Sequence, residues 1–304
     1  MKSITKIMVS VLLTSYANAG FGNYIADKHA KESIAITLLT SENIISSGHY
    51  TFGDLDMSLD THFIPFTYQF DSSSNLFNFY ATGSAGFSKY RDENQNLGRG
   101  TLDTSKIFTY AVKAGGGIRV SLSNESDLMF GGAYTYSKSD TDFISSKVLN
   151  KSKPNDKVID EILNGDEAHH TYELSTSIEY RPTMESYQPY LTADIRYFYT
   201  KIDTPYTTLS KSTSIISKLK AGIFTPMLTQ IYDLPFKMEF YTSAVFLSGD
   251  IDDSIGNSYF LVAGTTAHLG TRAIVSWVDE VTFDVNIVKG KNMTGLNFGL
   301  GLSF

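Results

Sequence analysis

From residue 47 to the end of the chain, apolar and polar residues alternate with a period of two over long runs. Tyr172, Leu174, Thr176, Ile178 and Tyr180 share one face, and Thr171, Glu173, Ser175, Ser177, Glu179 and Arg181 share the other. Phe108, Tyr110, Val112, Ala114, Ile118 and Val120 oppose Lys113, Gly115, Gly117 and Arg119 in the same way. So do Phe236, Met238, Phe240, Ala244 and Phe246 against Lys237, Glu239, Tyr241 and Ser243. This periodicity belongs to strands with one apolar face. Each run reaches the roughly 9–11 residues a tilted strand needs to cross a bilayer, longer than strands of soluble sandwiches usually are.

The connections decide what closes those strands. Gaps are short at 71–75, 121–126 and 182–187, long at 89–103, 139–167 and 201–212, and intermediate at 225–233 and 249–256. Alternating tight turns and long polar loops predict an all-β fold, a closed antiparallel transmembrane barrel with periplasmic turns and outward loops. Every backbone group in lipid must be paired, so the sheet closes and the strand number is even. The pattern gives about twelve: 47–57, 62–70, 76–88, 104–120, 127–138, 169–181, 188–200, 213–224, 234–248, 260–277, 281–288 and 294–304. The tenth is read as one strand because Leu261 through Trp277 keep odd parity opposite His268 and Arg272. The first separates its faces poorly, so ten or fourteen strands are the alternatives.

Upstream the period changes. Ala26, Ala30, Ile34 and Leu38 recur at intervals of four between Tyr24 and Asn43, which predicts a helix, while Ile34, Ile36 and Leu38 leave a strand as the alternative. Lys2, Lys6, the apolar Ile7–Leu13 and Ala17-Asn18-Ala19 form an export signal cleaved after Ala19. The organisation is therefore signal peptide 1–19, leader 20–46 and barrel 47–304. No apolar run approaches the roughly 18 residues of a spanning helix. Among 304 residues there is no cysteine, which excludes disulfides, thiolate metal sites and cysteine nucleophiles. Without Lys2 and Lys6, 23 bases face 32 acids, a poor balance for binding nucleic acid. With 19 Tyr and 20 Phe, the composition favours strands and interfacial girdles. Tyr187, Tyr190, Tyr232 and Trp277 would sit at the periplasmic level, and Tyr80, Tyr90, Tyr134, Tyr136, Tyr197, Tyr199 and Tyr259 toward the outside.

The last strand is the most specific segment. Leu296, Phe298, Leu300, Leu302 and Phe304 are apolar at every second position. Phe298, Leu300, Leu302 and the terminal Phe304 look like the signal by which outer-membrane proteins address the barrel-assembly machinery. With its layout and the ending Gly295-Leu-Asn-Phe-Gly-Leu-Gly-Leu-Ser-Phe304, the chain resembles the translocator domain of autotransporters. Only about 27 residues separate Gly20 from the first strand, so it is most similar to the solitary, passenger-less barrels. The resemblance implies a helix within the pore, residence in the bacterial outer membrane as a monomer contacting outer-membrane lipid, and a structural or surface-interaction role.

Lumen chemistry follows from the inward parity. Lys113, Arg119, Arg181, Arg196, Lys218, Lys220, Lys237 and Arg272 would face Glu173, Glu179, Asp194, Glu239 and Asp284. Cross-strand pairing would hold the wall together. The surplus of bases could also give an open, porin-like channel mild anion preference, or hold plug acids such as Asp27, Glu32 and Glu42. Residues 249–256, with Asp250, Asp252 and Asp253, read as a solvated acidic loop without a calcium series. Val158, Ile159, Ile162 and Leu163 fall at helical spacing over the barrel mouth. Of six histidines, His169 and His170 lie beside Asp166, Glu167 and Glu173, but neighbours on a strand point to opposite faces. No catalytic, metal or cofactor set is expected, and the chain reads as non-enzymatic.

Overall fold

The computed structural model describes residues 30–39, 47–70 except 53–56, 76–95, 103–144, 165–203, 211–275 and 278–303. Residues 30–39 form helix α1. The strands are β1 (Gly48–Phe52), β2 (Met57–Gln69), β3 (Phe77–Gln95), β4 (Asp103–Ser123), β5 (Ser126–Ile144), β6 (Asp166–Tyr180) and β7 (Gln188–Asp203). They continue as β8 (Lys211–Phe224), β9 (Thr229–Ile231), β10 (Leu234–Gly249), β11 (Tyr259–Gly270), β12 (Glu280–Gly290) and β13 (Met293–Ser303), with helix α2 (Asp250–Ile255) between β10 and β11. Each wall strand pairs antiparallel with its neighbours and β13 returns to β1, closing a twelve-stranded barrel. The three-residue β9 pairs only with β10, as the short arm of a hairpin whose turn residues Tyr232 and Asp233 both have positive φ.

Alternation sorts the two faces as expected. Outward residues such as Phe66, Phe79, Leu174, Ile195, Phe240, Phe283 and Phe298 form an exposed apolar belt. Lumenal aromatic rings lie over glycines directly opposite on the next strand: Tyr80 over Gly117, Tyr190 over Gly222, Tyr241 over Gly264 and Tyr50 over Gly295. A Cβ at Gly222 would stand 2.6 Å from the Tyr190 ring, so these glycines supply the space the rings occupy.

Several elements depart from the sequence expectation. Strands β3, β4 and β5 run to 19, 21 and 19 residues, because pairing continues where the outward face turns polar. Ser137, Ser139 and Thr141 stay buried on the inner face there, so both edges of the expected 139–167 loop, 139–144 and 166–167, are strand. Strand β11 ends at Gly270, not at residue 277: beyond it Thr271 accepts the amides of Ile274 and Val275, and its hydroxyl donates to Val278 O at 2.8 Å. Pro235 lies against Gly270 and has no N–H to carry the ladder further. The expected acidic loop at 249–256 holds α2, with Ile251 buried in the core.

The closure is asymmetric. β1 is five residues long and pairs with both β13 and β2, from Gly48↔Asn297 and Gly48↔Thr61 to Phe52↔Met293 and Phe52↔Met57. Toward the short-turn end β13 meets β2 directly, in a two-rung parallel contact at Leu302↔Phe66 and Ser303↔Thr67. Ser47 bridges the intervening step: its hydroxyl donates to Phe63 O at 3.2 Å and accepts from Phe63 N–H at 2.9 Å, and its carbonyl accepts from Phe298 N–H at 2.8 Å.

Candidate functional site

The lumen has two halves. In the half toward the long loops, α1 lies within the ring, with Ile34 and Leu38 packed against Tyr50, Phe52, Ile107, Phe198, Ile216, Val245, Phe260 and Met293. These wall positions carry the inward parity, whereas β5 and β6 bring buried polar residues, Ser137, Ser139, His169 and Thr171, to the same half. Polar contacts orient the helix. Thr37 Oγ1 lies 3.0 Å from Ser137 Oγ and 3.4 Å from His169 Nδ1, and Lys31 Nζ lies 3.5 Å and 3.7 Å from Asp250 and Asp253. A base of the plug thus meets acids of the rim; Asp27 and Glu42, two of the plug acids expected to meet wall bases, lie outside the described residues, as do Phe304, Trp277 and Val158–Leu163.

The half toward the short turns is a polar chamber, two adjoining cavities of about 430 Å³ and 250 Å³ that share Lys218, Lys220 and Glu239. Lys113 pairs with Glu173 at 2.5 Å, Arg119 with Asp127 at 2.5 Å and Glu179 at 3.3 Å, Arg181 with Glu179 at 2.8 Å, and Arg196 with Asp194 at 2.8 Å. Glu239 is the densest node. It accepts from Tyr190 Oη, from Lys220 Nζ at 2.6 Å and from His268 Nε2 at 3.1 Å, while His268 Nδ1 lies 2.7 Å from Glu280. Lys237 reaches Glu280 at 3.3 Å, and Tyr241 and Thr266 donate to Asp284, each at 2.8 Å.

Twelve of the thirteen lumen residues singled out in sequence fall on the inward face. Arg272 does not: β11 has ended before it, and it pairs with Asp279 at 2.6 Å in an exposed turn. Asp127 and Glu280 were missed, because each stands at a strand end where alternation gives no warning. Tyr190, Tyr80 and Tyr90 are lumenal rather than girdle residues, since they share the parity of Asp194, Ser84 and Ser88. His169 is fully buried beneath α1, beside Ser137 Oγ at 3.3 Å and Glu167 at 3.6 Å, whereas His170 faces outward against Tyr134 Oη at 2.6 Å. Serine, histidine and glutamate converge there, but the helix covers them, and the arrangement serves as its anchor.

A closed antiparallel barrel with an outward apolar belt, a helix filling half its lumen and a charge-paired remainder defines an outer-membrane barrel of the autotransporter translocator type. The chain belongs to the solitary outer membrane autotransporter β-barrel domain family, whose model matches residues 36–300. Among solved structures it is similar to the translocator domain of autotransporter NalP from Neisseria meningitidis, with TM-score 0.57, 10% identity and 84% of each chain covered. It is also similar to the β domain of the Bordetella autotransporter BrkA, with TM-score 0.54, 8% identity, and 84% of this chain and 97% of that one covered. The transport unit of AIDA-I from Escherichia coli gives TM-score 0.52 at 12% identity, over 91% of this chain and 99% of that one. At these identities the likeness is one of fold. No curated protein matches the chain.

Proposed function

We propose that this protein works as a sealed, passenger-less outer-membrane barrel with a structural or surface-interaction role, exported by its N-terminal signal and assembled through the Phe298–Phe304 ending as a non-enzymatic monomer. One observation carries the reading: α1 shares a buried apolar cluster with most of the wall strands, and on the β5–β6 side Thr37 meets Ser137 and His169. Hydrated ions do not cross such a layer without desolvation. The charge balance supports it too. With Arg272 removed and Asp127 and Glu280 added, the seven bases of the polar chamber meet seven acids, and the inward face beyond it adds two more acids, Asp92 and Glu167. The surplus on which anion preference depended is gone.

Single-channel conductance in a planar bilayer tests the reading. The mature barrel should be nearly silent, and a version lacking residues 20–45 should conduct. Equal conductance from both would favour the small-channel alternative and remove the plug from the account.

A further inference from the structure

The smaller of the two chamber cavities runs up to the seam at which the barrel closes. Its roughly 250 Å³ are bordered by Ser47, Phe63 and Pro65 on one side of the seam and by Gly299, Leu300 and Gly301 of β13 on the other. Leu300 belongs to the outward apolar belt and is 42% exposed, so a space that it borders reaches between the strands. The backbone accounts for this wedge. β1 starts at Gly48, and below Ser47 no strand among the described residues stands between β2 and β13 until they meet at Leu302↔Phe66 and Ser303↔Thr67. Phe63 turns both of its backbone groups to Ser47. Two residues on, Pro65 occupies the same edge of β2 without an N–H to offer. In lipid an interrupted ladder costs free energy, which makes this step the place where the wall parts most easily.

Within the wedge, Lys218 and Lys220 approach from β8, Glu239 and Ser243 from β10 and Asp284 from β12. Two lysines thus share the space with two carboxylates. Ser243 is buried, at 4% exposure, and its hydroxyl has no hydrogen-bond partner among the described residues. A buried hydroxyl left that way is destabilising until a ligand group meets it. A lining of both signs favours a ligand that carries both, because burying a net charge is costly. Outside the wedge the surface is apolar: Ile64, Phe66, Phe298 and Leu300 are all exposed there. A mixed-charge interior opening onto an apolar exterior matches an amphiphile with a zwitterionic head.

We infer that the seam between β2 and β13 admits the headgroup of a zwitterionic glycerophospholipid from the leaflet beside the short turns. Its phosphate lies against Lys218, Lys220 and the Ser243 hydroxyl, its ammonium faces Asp284, and its acyl chains stay outside on Ile64, Phe66, Phe298 and Leu300. Charge-assisted hydrogen bonds to phosphate and apolar burial supply the affinity. The inference goes beyond the sealed-barrel reading and leaves α1 in place, since this cavity lies in the other half of the lumen.

The test uses the refolded mature barrel in detergent, with phosphatidylethanolamine, phosphatidylglycerol and water-soluble glycerophosphoethanolamine as probes, read by native mass spectrometry. Phosphatidylethanolamine should bind in preference to both others. Lys218→Gln combined with Ser243→Ala should weaken that binding by about tenfold or more, the share of one base and one hydrogen bond on a phosphate. Lys201→Gln, on the outward face far from the seam, should leave it unchanged. The chain has no cysteine, so a Phe66→Cys, Leu302→Cys pair can be oxidised selectively to lock the seam. The oxidised barrel should lose phosphatidylethanolamine and regain it on reduction, a comparison within one folded protein that holds even if the lumenal variant does not refold. Equal or tighter binding of phosphatidylglycerol or of glycerophosphoethanolamine, binding unaffected by the lock, or undiminished binding by the folded lumenal variant overturns the inference.

Discussion

Glu239 shows how much one inward carboxylate organises. It is buried, yet Lys220, His268 and Tyr190 all point at it, and Lys220 also lies 4.0 Å from the centre of the Tyr241 ring. Glu239→Gln keeps the volume and removes the charge those groups share. The expected loss is about 1–3 kcal/mol in urea unfolding of the refolded barrel, at unchanged slope. Gly222→Val makes the complementary test. The new Cβ would strike Tyr190 and turn it away from Glu239, costing about 1–3 kcal/mol. Adding Tyr190→Ala should recover part of that cost, so the double-mutant cycle should depart from additivity. Parity was enough to read Glu239, Lys220 and Arg196 from the sequence, because alternation alone fixes which face a strand residue takes. Parity put Tyr190 on that same face, with Asp194 and Arg196, but a tyrosine near a turn is as much at home in an interfacial girdle, and the opposing Gly222 that makes room for its ring is known only once the register is.

Among elements, α1 was legible as helical spacing and β1 hardly at all. Helical periodicity survives because the helix meets two environments, apolar wall residues where Ala30, Ile34 and Leu38 recur and polar ones, Ser137 and His169, beside Thr37. Leu38 is fully buried. Leu38→Asp places a charge in that layer, which no neighbour there can satisfy. The expected outcome is a barrel that still closes, retaining its folded electrophoretic mobility, but conducts ions. Unchanged silence in the bilayer would show that something other than the apolar layer closes the pore. Strand limits were read short in β3, β5 and β7 because hydrophobic alternation reports the lipid-facing side, whereas hydrogen bonding goes on in water. The limit of β11 was read long for the opposite reason: odd-parity apolar residues continue to 277, but the backbone turns at Thr271.

At the scale of the whole molecule, the barrel is held shut by an uneven seam. Ten of the strand interfaces run along full strands, while β1 contributes five rungs to each neighbour and Ser47 one side-chain bridge. Ser47→Ala removes both hydroxyl contacts with Phe63 and should cost about 1–2 kcal/mol. Its signature should be local: faster hydrogen exchange at the Phe63 amide, with the amides of β4 to β6 unaffected. Closure itself was readable, since lipid leaves no alternative for paired backbone. The half-height first strand was not, because His49, Tyr50, Thr51 and Phe52 divide into faces only when both neighbours are known.

The half-height strand also sets an order of events. The chain passes from a helix inside the ring to a strand that is itself part of the ring, and eight residues, 40–47, join them. A plug joined so directly to a wall strand is expected to enter the ring with that strand and not after it. The last rungs to form, at β1, are then expected to be the ones that trap the plug.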